Sequence, residues 1–159
     1  MAVPELVSPI GANPSRLTTS AEYSLGTRAS GKDGSEFVYV QADGAVAATD
    51  VVVISEAWQA DSIDTTNSAA ALGDKVGVAR AAFADNEYGW VQVHGVVDAI
   101  NVASSCAPNV KLNSTATAGR IDDDATTGAE TIAGLYTTGA EGSNAAAGVL
   151  HYPFIDATL

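Results

Sequence analysis

The side chains able to do chemistry are few and widely spaced. His94 and His151 are the only histidines, and Cys106 is the only cysteine. A zinc site needs three or four N, S or O donors in a closed geometry. Neither histidine belongs to a His-x-x-x-His or Glu-His spacing, so both read as structural or surface residues. Cys106 lies in the neutral run Ala103-Ser-Ser-Cys-Ala-Pro108, with no adjacent cation to lower its pKa. It reads as a buried, inert thiol. One cysteine also excludes an intrachain disulfide and a multi-cysteine metal site. Asp122, Asp123 and Asp124, with Glu130 nearby, offer hard oxygen donors to Ca²⁺ but lack the spacing of a calcium loop. They read as a solvated acidic turn. Asp33, Glu36, Asp85 and Glu87 are the carboxylates available for a glycosidase pair, and they fall in or beside turn-like sequence with no sign of a cleft. Ser104 and Ser105 have no base at a motif distance, and there is no Gly-x-Ser-x-Gly elbow or phosphate-binding loop. The expectation is a protein that is not an enzyme and uses no cofactor or metal.

The elements that must position these residues are written in small side chains. Of 159 residues, 30 are Ala, 15 Gly and 14 Thr, and only 16% are charged, against an ordinary level of about 25%. The apolar content of 47% is that of a folded domain, and the length suits one domain. Small apolar side chains bury little area each, which leaves room for stabilisation by oligomer contacts. The net charge of −12 disfavours binding to nucleic acid and to anionic membranes. The N-terminal residues show no basic region followed by an apolar run, and no segment approaches the length of a membrane helix. Synthesis in the cytoplasm, without a secretory leader, is expected.

Residues 1–30 are punctuated by Pro4, Pro9 and Pro14 and show neither a helical nor a strand period. They read as an extended N-terminal arm, with Pro4, Pro9, Arg16 and Leu17 as candidate contacts to a neighbour. From residue 31 onward, strands separated by turns dominate. Candidate strands cover 36–41, 50–55, 76–83, 88–93, 95–102, 111–112, 117–121, 131–137 and 148–152. Residues 31–34 and 85–87 read as turns, Asp43-Gly44 as a hairpin-type turn, and 57–72 as a polar loop carrying Trp58. The run Val51 to Ile54 suits a strand buried on both faces. About eight short strands and few helices argue for an all-β domain, a small barrel or sandwich, over residues 31–159. Tyr39, Tyr88 and Trp90 read as scaffold aromatics. Trp58, in a polar loop, reads as the better interface residue.

The order of motifs then resembles a known group. Residues 31–44 are followed by Asp50-Val-Val-Val-Ile-Ser-Glu-Ala57, by Val76-Gly-Val-Ala79, by Tyr88-Gly-Trp-Val-Gln-Val-His-Gly95 and by Ala107-Pro-Asn-Val-Lys-Leu112. Over roughly residues 25–152 this is similar to the small capsid decoration, or cement, proteins of tailed bacteriophages, marine ones in particular. The resemblance implies a β-barrel-type domain on the outer surface of the virion. Such a protein binds the expanded shell of major capsid protein and reinforces it against internal DNA pressure, often as homotrimers at local threefold positions. It implies no active-site residues. A different class of function, a carbohydrate-binding or adhesive β domain, would use Trp58 and Trp90 as stacking platforms.

Overall fold

Four β-branched residues in succession, Val51 to Ile54, form a strand that is buried along its whole length and serves two cores at once. Side chains alternate across a strand, so Val51 and Val53 enter one hydrophobic cluster while Val52 and Ile54 enter another. This sharing organises the molecule. The computed structural model describes residues 6–8, by backbone alone, and residues 12–157. Its strands are β1 (Leu6–Ser8), β2 (Arg28–Gly31), β3 (Glu36–Ala42), β4 (Val51–Ile54), β5 (Gln59–Ser62), β6 (Lys75–Ala79), β7 (Tyr88–Asn101), β8 (Leu112–Ser114), β9 (Ile121–Asp122), β10 (Thr131–Thr137) and β11 (Ala145–Asp156). One short helix, α1 (Thr65–Ala69), lies between β5 and β6.

The protein is a mostly β domain of mixed topology. All eleven strands join one sheet in the order β1-β2-β3-β5-β4-β6-β7-β11-β10-β8-β9. β3 also pairs directly with β7, so the pairings β3–β5–β4–β6–β7 return to their start. Within that ring lie Val38, Val40, Val52, Ile54, Phe83, Val91 and Val93. On the other side of β4 and β6, a larger cluster gathers Val51, Val76, Ile100, Leu112, Ile132, Leu135 and Leu150. A third cluster occupies the opposite face of β3 and β7, where Phe37, Tyr39 and Trp90 are buried under Tyr23 and Leu25. Trp90 therefore fills no space inside the ring. It lies beneath the segment 12–27.

Several sequence expectations change. The described residues form eleven strands rather than about eight, and two are long: β7 has 14 residues and β11 has 12. The span 57–72 is not a loop, because it holds β5 and α1. The helix starts at a reciprocal cap: Asp64 Oδ1 accepts from the backbone N–H groups of Thr66 and Asn67 at 2.7 and 2.8 Å, and Asn67 Oδ1 accepts from Asp64 N–H at 2.8 Å. Asp43-Gly44 closes no hairpin, since β3 runs on beside β5 in parallel. Instead Asp85 Oδ1 accepts from Gly44 N–H at 3.0 Å, tying two turns together. Residues 117–120 form a bend and turn, leaving only Ile121 and Asp122 as strand.

β7 changes partners along its length. Its first half pairs with β3 and its second with β11, and the change falls at Gly95, whose φ is +94°. A Cβ there would lie 2.8 Å from the Ser35 Cα, so only glycine fits. The carbonyls flanking this bend are satisfied by a buried side chain: Gln92 Nε2 donates to His94 O at 3.1 Å and to Val96 O at 2.9 Å. No helix among the described residues is long and apolar enough to cross a membrane.

Candidate functional site: an aromatic groove beside an open sheet face

Two aromatic residues hold backbone conformations that bulky side chains rarely adopt. Trp58 has φ +62° and Tyr152 has φ +50°. A left-handed conformation costs a residue with a Cβ roughly 1–2 kcal/mol, and such strain collects where a side chain must be aimed. Trp58 ends the turn between β4 and β5, donating its N–H to Ser55 O at 2.9 Å. Tyr152 lies in a bulge of β11, where the register against β10 shifts around Gly134. Both side chains line one small groove, with Arg28, Val38, Lys75, Val76, Val93 and Pro153.

The groove is apolar at its base and cationic at its rim. Lys75 Nζ stands 4.9 Å from the Trp58 ring centroid and 3.2 Å from Glu56 Oε1. The Arg28 guanidinium stands 5.8 Å from the Tyr152 ring centroid and 3.9 Å from Glu36 Oε2. The Trp58 indole is pressed on Gly26, where a Cβ would come within 2.4 Å of Trp58 Cε2. The volume is about 80 Å³. Small-molecule sites run to about 300–1,000 Å³, so this groove suits a single inserted side chain.

Beside it the outer face of β7, β11 and β10 is open. Register places Val96 opposite Val149 and Val149 opposite Tyr136, giving an apolar row across three strands. Val96 is 70% exposed and Tyr136 44%. A second row, Glu36–His94–His151, crosses β3, β7 and β11. The Tyr152 ring stacks on His94 at 4.7 Å and joins this row to the groove. Interaction of the Tyr152 hydroxyl with the Glu36 carboxylate raises the Tyr152 pKa above the ordinary phenol value.

The expected contact residues separate. Pro4 and Pro9 lie outside the described residues. Arg16 is exposed and paired with Glu22. Leu17 packs on the cluster inside the ring. Trp58 is the one that reaches the groove. Tyr39 and Trp90 are buried, and Tyr88 stacks on Tyr39 at 6.4 Å. Arg28, Lys75 and Tyr152 carried no sequence signal for a site, because strand register alone brings them to Trp58. The same holds for the two histidines, 57 positions apart in the chain.

The remaining candidates for chemistry make local contacts. Asp33 Oδ1 accepts from Ser35 Oγ at 2.6 Å and from Ser35 N–H at 3.1 Å, and the hydroxyl bond leads in lowering its pKa. Glu87 Oε2 accepts from Ala84 N–H at 2.8 Å. Asp122 and Asp123 lie beside Cys106, with one ligand atom of each within 4.8 Å of the others; Asp124 is exposed. That trio mixes a thiol with two carboxylates, a donor set suited to a borderline ion such as Zn²⁺ rather than to Ca²⁺. The thiol resists deprotonation. Burial first, and the two carboxylates after it, push the Cys106 pKa from 9.0 to about 11.

Two consequences follow for Cys106. A rise from 9.0 to about 11 leaves the folded protein about 100-fold less thiolate at neutral pH. Alkylation of the native protein at pH 7.5 is expected to be slower than that of the denatured chain by at least that factor, and equal rates would refute it. A raised folded pKa also contributes stability that is complete below pH 9 and lost as pH rises through about 11. Cys106→Ser is expected to remove that alkaline slope.

No protein-family model, curated protein or solved structure matches the chain.

Proposed function

We propose that this domain is a non-enzymatic decoration protein that docks on the outer surface of an assembled protein shell. The shell is the expanded head of a tailed bacteriophage and the partner its major capsid protein. The domain acts as a homotrimer and stabilises the head. The observation that carries this reading is the pairing of a groove sized for one side chain with an open apolar row beside it. An aromatic pocket that takes one anchor, next to a flatter apolar strip, is how protein partners are gripped. The ring of pairings through β3, β5, β4, β6 and β7 supports a barrel-type decoration domain.

Purified protein is expected to bind expanded shells lacking it and to raise their disruption temperature. Trp58→Ala and Val96→Asp are each expected to weaken that binding by at least about tenfold, the lower range for an interface anchor. Normal thermal unfolding of both variants would separate binding from folding. Failure of the native protein to bind any expanded shell would overturn the reading.

The cationic rim over Trp58 and Tyr152 favours a second reading, a carbohydrate-binding domain on the virion. Trp90, 1% exposed, offers no stacking platform, so that reading rests on Trp58 and Tyr152. Acrylamide is expected to quench Trp58 and spare Trp90. Protection of Trp58 from acrylamide by saccharides, with no binding to shells, would favour it over the first.

A further inference from the structure

Among the described residues, the exposed large hydrophobic side chains all lie on or beside β11. Tyr152 and Phe154 belong to that strand. Val96 and Tyr136 stand in the row that Val149 joins. Leu72 precedes Gly73, whose N–H donates to Ile155 O at 2.8 Å. Alternation sorts the two faces of the strand. Leu150 and Ile155 both enter the cluster around Ile100 and Leu135, so Val149 and Phe154 point outward on either side of the bulge. Val149 is in register with Tyr136 and Phe154 with Ala133, three residues away on β10. That is about 10 Å of strand, so the Val96–Val149–Tyr136 row and Phe154 share one face.

This face is poor in charge. The chain carries 7 basic and 19 acidic side chains, yet residues 131–155, which hold β10, its connection and most of β11, include only Glu141. Charges return at the border, with Lys75 opposite Phe154 and Asp156 ending β11. That distribution selects the partner. A basic protein is drawn to the acidic remainder of a chain of net charge −12. A second copy carries the same −12, and like charges brought together across an interface cost several kcal/mol. Copies therefore meet at least cost where charge is missing and apolar surface is exposed.

We propose that the outer face of β10 and β11 is where copies of this chain meet, with Val96, Val149, Tyr136 and Phe154 as the apolar contacts. The proposal rests on the shell-docking reading only for the number of copies, and gives that homotrimer its contact face. The groove at Trp58 is left to the shell. Val96→Asp then weakens shell binding by ending the simultaneous attachment of several copies.

The test is sedimentation equilibrium of untagged full-length protein over a range of concentrations, without shells. Reversible self-association is expected. Tyr136→Asp and Phe154→Asp should each weaken it at least about tenfold. Both side chains are exposed, so the variants should keep the native circular dichroism spectrum. Raising NaCl to about 0.5 M should tighten association, because salt screens the repulsion between acidic copies. A protein that stays monomeric at every concentration overturns the proposal. So does native association in both variants, or association that weakens with salt, which would place ion pairs at the contact. Association through this face without binding to shells supports the proposal and removes shell docking. Shell binding by a strictly monomeric protein does the reverse.

Discussion

Trp90→Ala is expected to cost roughly 3–5 kcal/mol of folding stability. That is a large share of the roughly 5–15 kcal/mol that holds an ordinary domain folded. Trp90 is 1% exposed and is the largest fully buried side chain. It pairs with Tyr39 in register, ring centroids 5.1 Å apart, and Tyr23 lies 5.3 Å from both rings. Most other core residues are Ala, Val or Ile, and such side chains cannot swing across a cavity of indole size. Tyr39 is fixed by its hydroxyl, which accepts from Glu22 N–H at 3.1 Å. Loss of the indole should therefore also loosen residues 12–27, whose Tyr23 and Leu25 roof the cluster. Denaturant unfolding gives the first quantity. Limited trypsinolysis gives the second, because Arg16 lies within that segment and Arg28 directly follows it. A cost below about 1 kcal/mol, with cleavage at Arg16 unchanged, would show that the segment is held by something else. Truncation of residues 1–27 should destabilise comparably, since it uncovers the same rings.

How much of this was legible in the sequence depends on side-chain size. Strands rich in β-branched and aromatic residues, such as 36–41 and 131–137, are visible by composition. Val51 to Ile54 is visible as a continuous run because both of its faces are buried. β5 is hidden because its sequence, Gln59-Ala-Asp-Ser62, alternates exposed and buried positions using only small and polar residues. The start of β11 is hidden in Ala145-Ala-Ala for the same reason. α1 announces itself only through the Asp64 and Asn67 cap, because five residues contain too little pattern to show a helical period.

The candidate site was legible in one residue. Trp58 stands out as a large aromatic in polar surroundings. Nothing in its neighbourhood suggests Tyr152, which lies before a proline, where extended backbone is the default. Its left-handed conformation comes from the β11 bulge, a feature of register rather than composition. The neighbourhood of the two histidines was not legible, because strand pairing rather than sequence spacing brings His94 beside His151. Groove, histidine row and apolar row thus share one origin: β11 crosses beside β7 and carries Tyr152, His151 and Val149 to three different partners.

Asp50→Ala is expected to cost roughly 3–5 kcal/mol, the range for removing one partner from a buried charged network. Asp50 is 6% exposed. Its Oδ2 accepts from Ala47 N–H at 3.0 Å and from Ser62 Oγ at 2.9 Å, and its Oδ1 accepts from Asn101 Nδ2 at 2.9 Å. Asn101 Oδ1 in turn accepts from Arg120 Nε at 3.2 Å. One carboxylate thus joins the turn before β4, the end of β5 and the end of β7. Gly119 lets it fit, since a Cβ there would stand 2.2 Å from the Asp50 carboxyl carbon. Alanine leaves three donors without their acceptor. Asparagine keeps the size but offers one acceptor oxygen and sets an NH₂ group against donors, so Asp50→Asn should cost about 1–3 kcal/mol. The double variant Asp50→Asn with Asn101→Asp returns a carboxylate to the network, now against Arg120 Nε. It should be more stable than Asp50→Asn alone by about 1 kcal/mol. Denaturant unfolding of the four proteins measures that coupling. Strict additivity in the cycle would mean that Asp50 and Asn101 act separately, and that the ends of β5 and β7 are held together by the apolar cluster alone.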